Sequence, residues 1–228
     1  MKTLDKYNRV CGYLNKIFGY ANEYFFDNQL EMPVITLTPT ETAYGHVTTS
    51  KVWKKADGTA QYELNISSYY LNRDISGSNI IPTVVTLLHE SCHIALMQGI
   101  DGNEPDLTGG TCMNGIYHNK SFKRMAEERA KLAISRSEKY GYTISEATEE
   151  TLDFILKYNL EDILLNRDGV SYVPVSGESD SDKPVSIRPK TKSNSRKWVC
   201  PTCGLILRST KDSVHVMCLD CNQELIRA

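Results

Sequence analysis

Apolar residues recur at helical spacing near the start of the chain, at Leu4, Tyr7, Val10, Leu14, Ile17, Phe18, Ala21 and Phe25. This predicts an amphipathic helix over residues 4–26, with Asp27-Asn28-Gln29 as its end. After Pro33, the residues Val34, Ile35 and Leu37 predict a short strand. Residues 46–53 and 61–66 carry further β signal, and in the latter Tyr62, Leu64 and Ile66 alternate with polar positions. Between them Asp57-Gly58 suits a hairpin turn. A second helix follows, with Ser78 or Asn79 as cap, Pro82 in its first turn and Gly99 at its end. Its apolar stripe is broad: Ile81, Val84, Val85, Leu88, Cys92, Ala95 and Leu96. Residues 100–117 hold four glycines and little periodicity, and read as a loop. Phe122, Met125, Ala126, Leu132 and Ala133 predict a helix over 119–137, and a further helix is expected over 149–158.

The texture changes after Val173. The stretch VSGESDSDKPVSIRPKTKSNSRK is rich in serine and charge and nearly free of large apolar residues. It buries too little surface to offset its ordering entropy. The expectation is an α+β domain over residues 1–170, a flexible basic linker over 171–196 and a small module over 197–228. With 228 residues, 40% hydrophobic and 24% charged, the chain has room for one ordinary domain plus that module. A net charge of -2 exerts no global pull toward nucleic acid or membrane. The opening MKTLDKYNRVCGYLNKIF is interrupted by charges and lacks a signal-peptide core, and no apolar run approaches the ~20 residues of a membrane span. A cytoplasmic protein without a membrane partner is expected.

The seven cysteines are unevenly placed. Cys11, Cys92 and Cys112 are single, whereas Cys200, Cys203, Cys218 and Cys221 form two C-x2-C pairs separated by 14 residues. In a reducing compartment this spacing favours metal over disulfides. Two such pairs close a tetrahedral four-thiolate zinc site with no open position, so the expected role is structural. A module this small folds with its metal. His215 lies between the pairs and is expected at the surface.

A second metal motif lies on the second helix: His89-Glu90-Ser91-Cys92-His93. Histidines four apart project from one side of a helix and can bind one zinc ion. Glu90 points to a neighbouring side, where it can act as general base on water activated by the ion. Burying two histidines and a glutamate on an apolar helix also demands partners or a metal. A third protein ligand is required. Leu96 stands where the metzincin pattern needs glycine, which leaves His118, just ahead of the next helix, or Glu127 or Glu128 within it.

Other residues carry weaker signals. His46 lies on an expected strand beside the cleft, and a partly exposed strand histidine is the simpler reading. Tyr117 adjoins His118 and could donate to an oxyanion. Cys112 could shield the zinc as a thiolate, although an ordinary loop cysteine explains it, and Cys92 falls on the core stripe. Lys183, Arg188, Lys190, Lys192, Arg196 and Lys197 lie in a stretch, 183–197, without any acidic residue, which suits phosphate contacts or a solubilising linker. Trp198 could stack a base or pack the module.

Four stretches resemble the SprT-like family, which includes Spartan-type DNA-dependent proteases. They are YLNKIFGYANEYFFDNQLEMPVITL, Tyr44-Gly45-His46 with the later YELNISSYYL, LLHESCHIAL, and GIYHNKSFKRMAEE. Together they span roughly residues 11–135. The resemblance implies a zincin-like metalloprotease domain with His89, His93 and His118 as zinc ligands and Glu90 as base, followed by a zinc ribbon. It favours His118 over Glu127 and Glu128. It also implies two zinc ions, one catalytic and one structural, protein substrates, and DNA as a partner through the basic linker and ribbon. The loop 100–117 is long for the family, and residues 140–170 fall outside the match. Two other readings compete: a nucleic-acid-associated zinc module without proteolysis, and a regulatory protease specific for one protein partner. Glu90 counts against the first, since a structural site needs no base; the long loop fits the second.

Overall fold

The computed structural model describes residues 3–40, 42–69, 71, 78–113, 115–165, 167 and 196–227. The chain divides into two compact units, residues 1–169 and 170–228. Residues 171–195 of the expected linker lie outside the described residues, and Arg196 already belongs to a strand of the second unit.

The first unit is mixed α+β. Helix α1 (Tyr7–Phe26) buries Val10, Leu14, Ile17, Phe18, Ala21, Phe25 and Phe26 along one face. It starts after Leu4 and ends where Asp27 turns left-handed, its N–H bonded to the Asn22 carbonyl. A three-stranded sheet is built from β1 (Val34–Thr38), β2 (Gly45–Val47) and, after a small hairpin of β3 (Trp53–Lys54) and β4 (Ala60–Gln61), β5 (Glu63–Ser67). The hairpin turns at Asp57-Gly58, with Gly58 at φ 86°. β5 is central, parallel to β1 and antiparallel to β2. The β signal at 46–53 therefore divides into two short strands.

Helix α2 (Ile80–Gln98) runs through the core and buries Val84, Leu87, Leu88, Ile94 and Ala95 completely. By length and composition it would qualify as a membrane span, contrary to the expectation from the sequence, but 72% of its apolar window is buried within the fold. Gly99 ends it at φ 68°, and a Cβ there would lie 2.4 Å from the Asn103 carbonyl. Its start is held from a distance. The Asp162 carboxylate accepts from the Asn79 and Ile80 N–H groups and the Ser78 hydroxyl, while the Asn79 side chain brackets the backbone of Ile163. Neither Ser78 nor Asn79 caps the helix with its own side chain.

The remainder departs from the sequence expectations in two places. The end of the predicted loop 100–117 is a hairpin of β6 (Thr111–Cys112) and β7 (Tyr117–His118). The predicted helix 119–137 is two elements: α3 (Lys120–Glu128), capped by the Asn119 side chain, and strand β8 (Ala133–Ser137). Lys131, at φ 54°, turns the chain out of helical geometry between them. β8 pairs with β9 (Gly141–Glu146) in the order β6-β7-β9-β8, so long-range pairing overrides the helical periodicity. Helix α4 (Glu149–Lys157) follows, with a capping box at Thr148.

The second unit is a small ribbon. Strands β10 (Arg196–Val199), β11 (Ile206–Ser209) and β14 (Ile226–Arg227) form one sheet with β10 central; β12 (Met217–Cys218) and β13 (Gln223–Glu224) form another pair. Among the described residues its core is Trp198, Cys200, Cys218 and Leu225, flanked by Leu207, Val214, Val216 and Cys221.

Candidate metal centres

The first centre is set by α2 and the β6–β7 hairpin. One helical turn places His89 and His93 side by side, and β7 brings His118 against them. The His118 Nε2 lies 3.1 Å from that of His89 and 3.3 Å from that of His93. Nitrogens ~2.0–2.1 Å from a tetrahedral ion lie about 3.3–3.4 Å apart, so the triad has the spacing of a three-histidine metal site. Glu127 and Glu128 are exposed on α3, and Glu127 pairs with Lys123 instead.

Contacts at Nδ1 fix the orientation of two of the rings. His93 Nδ1 is 2.6 Å from the Gly109 carbonyl, which makes Nδ1 the protonated nitrogen and leaves the Nε2 lone pair toward the centre. His89 Nδ1 is 2.8 Å from the Ser145 hydroxyl on β9. His118 Nδ1 is buried with no hydrogen-bond partner. The Phe122 ring, fully buried, lies 4.6 Å from all three imidazoles and forms an apolar floor. Burial depresses all three imidazole pKa values. His89 falls well below the ordinary range, with His93 and His118 adding to the effect. His93 falls to about 4, despite the Gly109 carbonyl. His118 is lowered too, by burial. At neutral pH the triad is therefore uncharged, as metal ligation requires.

Two glycines let the surrounding backbone close on the motif. At Gly110 (φ 77°) a Cβ would sit 2.6 Å from Leu96 Cδ1 and 2.9 Å from Phe122 Cβ. Asp106 holds this loop by accepting from the Thr108 N–H and hydroxyl and the Gly110 N–H. At Gly45 a Cβ would lie 2.9 Å from Thr86 Cγ2 and 3.2 Å from Glu90 Cγ, so glycine lets β2 run directly over α2. Burial raises the Glu90 pKa to about 8, and the Val47 N–H counters that by hydrogen bonding to the carboxylate. β2 is an edge of its described sheet. The Tyr44 carbonyl and Thr48 N–H bond to β5, so by alternation the backbone groups of Gly45 and Val47 face the other way. Glu90 thus lies on the side of β2 that faces away from β5.

Several candidates fall outside the centre. Adjacent strand residues face opposite sides, so Tyr117 points away from the triad; its hydroxyl accepts from Arg136. Cys112 is the cross-strand neighbour of Tyr117 and shares that outer face. His46 is exposed, and Cys92 is fully buried in the core, its thiol pKa pushed up by burial and by Glu90. The sequence reading missed Ser145, the Gly109 carbonyl and the Val47 N–H. Alternation in Tyr142, Ile144 and Glu146 could have shown a strand, but nothing local shows which strand residue meets His89.

The second centre gathers Cys200, Cys203, Cys218 and Cys221, whose sulfurs all lie within 4.8 Å of one another. Cys203 and Cys218 Sγ are 3.6 Å apart, close to the about 3.8 Å that ~2.3 Å zinc–sulfur bonds impose. The backbone N–H groups of Cys203 and Thr202 turn toward the Cys200 sulfur and lower its pKa, whereas hydrogen bonding to the neighbouring thiols raises those of Cys203 and Cys221. His215 is exposed and bonded to Glu224, outside the ligand set. Trp198 is buried within the ribbon. Both centres are compatible with zinc.

Compared with protein-family models, with curated proteins and with solved structures, the chain gives no match.

Proposed function

We propose that the first unit is a zinc-dependent peptidase of zincin-like, SprT-like type, and that the four-cysteine ribbon carries a second, structural zinc. The observation that carries this reading is the convergence of three imidazole Nε2 atoms, His93 and His118 being buried and His89 half-buried, beside a buried carboxylate, Glu90, on the side of β2 that faces away from β5. A purely structural site has no use for that carboxylate. Three neutral imidazoles suit zinc, which supplies Lewis-acid polarisation of a carbonyl and lowers the pKa of a water toward ~7. His89, His93 and His118 would hold the ion, and Ser145 and the Gly109 carbonyl orient two of the rings. Glu90 takes a proton from the attacking water and delivers it to the leaving amine. With a dication bound, Glu90 would be favoured in the carboxylate form needed for this step, against the burial that raises its pKa. The outward backbone groups of Gly45 and the Val47 carbonyl, which Glu90 does not occupy, can pair with an extended peptide, which would align a scissile bond beside Glu90. A protein substrate is therefore the natural reading. The resemblance to Spartan-type proteases and the basic run 183–197 extend it to proteins on DNA, in a reducing compartment such as the cytoplasm that keeps the ribbon thiols free for metal.

The test is cleavage of an unfolded protein by the zinc-loaded chain, with and without single-stranded DNA, beside Glu90→Gln. The variant keeps the shape and loses the base, so cleavage should fall by ~10²–10⁴ while zinc content is unchanged. A Glu90→Gln chain that cleaves at the native rate overturns the base assignment. A zinc-loaded native chain that cleaves nothing in either condition overturns the peptidase reading.

A further inference from the structure

The ribbon sheet has two unlike faces, and its strand register defines them. Trp198, in the small core, pairs with Leu207, which packs against that core. The alternate residues therefore point outward. They form two rows: Ile206, Val199 and Ile226 across β11, β10 and β14, and Lys197 opposite Arg208 on β10 and β11. Ile206 is 55% exposed and Ile226 57% exposed, with Val199 half-buried between them.

Both rows work against the stability of an isolated ribbon. Exposed branched residues in register forgo burial worth ~1.5–3 kcal/mol each. Like charges directly opposite on neighbouring strands repel. Among the described residues no carboxylate pairs with Lys197 or Arg208; Asp212 is engaged by Arg196 and Glu224 by His215. A ligand that covers the apolar row and brings negative charge to the cation pair relieves both. Nucleic acid would satisfy the charges, but its bases stack on aromatic rings. The ribbon's tryptophan is turned inward and buried, and the outer rows are aliphatic.

We propose that this outer face is a docking site for a partner protein, recognised through a segment that combines branched apolar residues with acidic ones. The inference rests on the ribbon alone and does not depend on the peptidase reading. Aliphatic side chains of the partner pack on Ile206, Val199 and Ile226, and its carboxylates bridge Lys197 and Arg208.

The experiment selects peptides from a displayed random library on the full-length, zinc-loaded chain. Selected peptides are then measured against native protein, Ile206→Ser/Ile226→Ser and Lys197→Glu/Arg208→Glu. The cobalt–thiolate absorption of each variant reports whether the four-cysteine site is intact. Selected peptides should combine Val, Ile or Leu with Asp or Glu, and each double variant should weaken them by at least about tenfold. Charge reversal should shift the selection toward basic peptides. The proposal is overturned if no peptides are selected, if those selected lack acidic residues, or if the variants bind as well as native protein. It is also overturned if Ile206→Ser/Ile226→Ser, which leaves the basic run 183–197 intact, loses affinity for oligothymidylate instead, which makes this a nucleic-acid face, or if the variants abolish a native self-association, which makes the occupant a second copy.

Discussion

Ser145 shows how a residue far from the motif enters the chemistry. Its hydroxyl, 2.8 Å from His89 Nδ1, occupies the position at which metal-binding histidines commonly hold a second partner. Losing it frees the most exposed ring of the triad to rotate. Ser145→Ala should weaken metal binding at the histidine centre by ~10–100-fold, read by competition with a chromophoric chelator, and leave the ribbon ion unaffected. Unchanged affinity would show that packing against Phe122 alone orients the ring. The same contrast explains what could be read from the sequence. His89, Glu90 and His93 were legible because four residues on a helix fix geometry. His118 was legible only as one of several candidates, since the hairpin that brings it back is invisible in local pattern. Ser145, 56 residues from His89, was not legible at all.

At the scale of elements, the helices read best. α1, α2 and α4 bury continuous apolar stripes or carry clear caps, and their ends fall near the expected residues. The error at 119–137 arose because Leu132 and Ala133 continue a helical spacing past Glu128, although the pairing of β8 with β9 decides the conformation there. That pairing gives residues 140–146 a place, and residues 160–163 gain one by docking on the start of α2. Asp162 is the contact that matters most, since one carboxylate satisfies two backbone N–H groups and sits at the positive end of the motif helix. Asp162→Ala should cost ~1–2 kcal/mol in urea unfolding of the first unit, with Asp162→Asn recovering part of it through the remaining carbonyl oxygen. Equal losses in both variants would assign the effect to charge rather than to the acceptor.

At the scale of the whole molecule, the two centres should be separable, because each ligand set belongs to one unit. The native chain should hold two zinc ions by elemental analysis, with His118→Ala removing one and Cys200→Ser the other. A single ion in the native protein would contradict two independent sites. Truncation after Asp168 should leave the histidine centre loaded, since α2, β7 and β9 all precede that point. Its effect on DNA binding is more informative. The full chain carries the acid-free basic run 183–197, and binding through phosphates falls steeply with salt as counterions are released. Full-length affinity for single-stranded DNA should therefore exceed that of the truncated chain at low salt and converge on it as salt rises. Tethering at DNA would raise the local concentration of bound protein near Glu90, so cleavage by the full chain should rise when DNA is added, and cleavage by the truncated chain should not. Equal affinities at both salt concentrations would remove DNA from the recruitment step. Recruitment would then rest on the ribbon face formed by Ile206, Val199, Ile226, Lys197 and Arg208, and the chain would read as a protease directed to one protein partner.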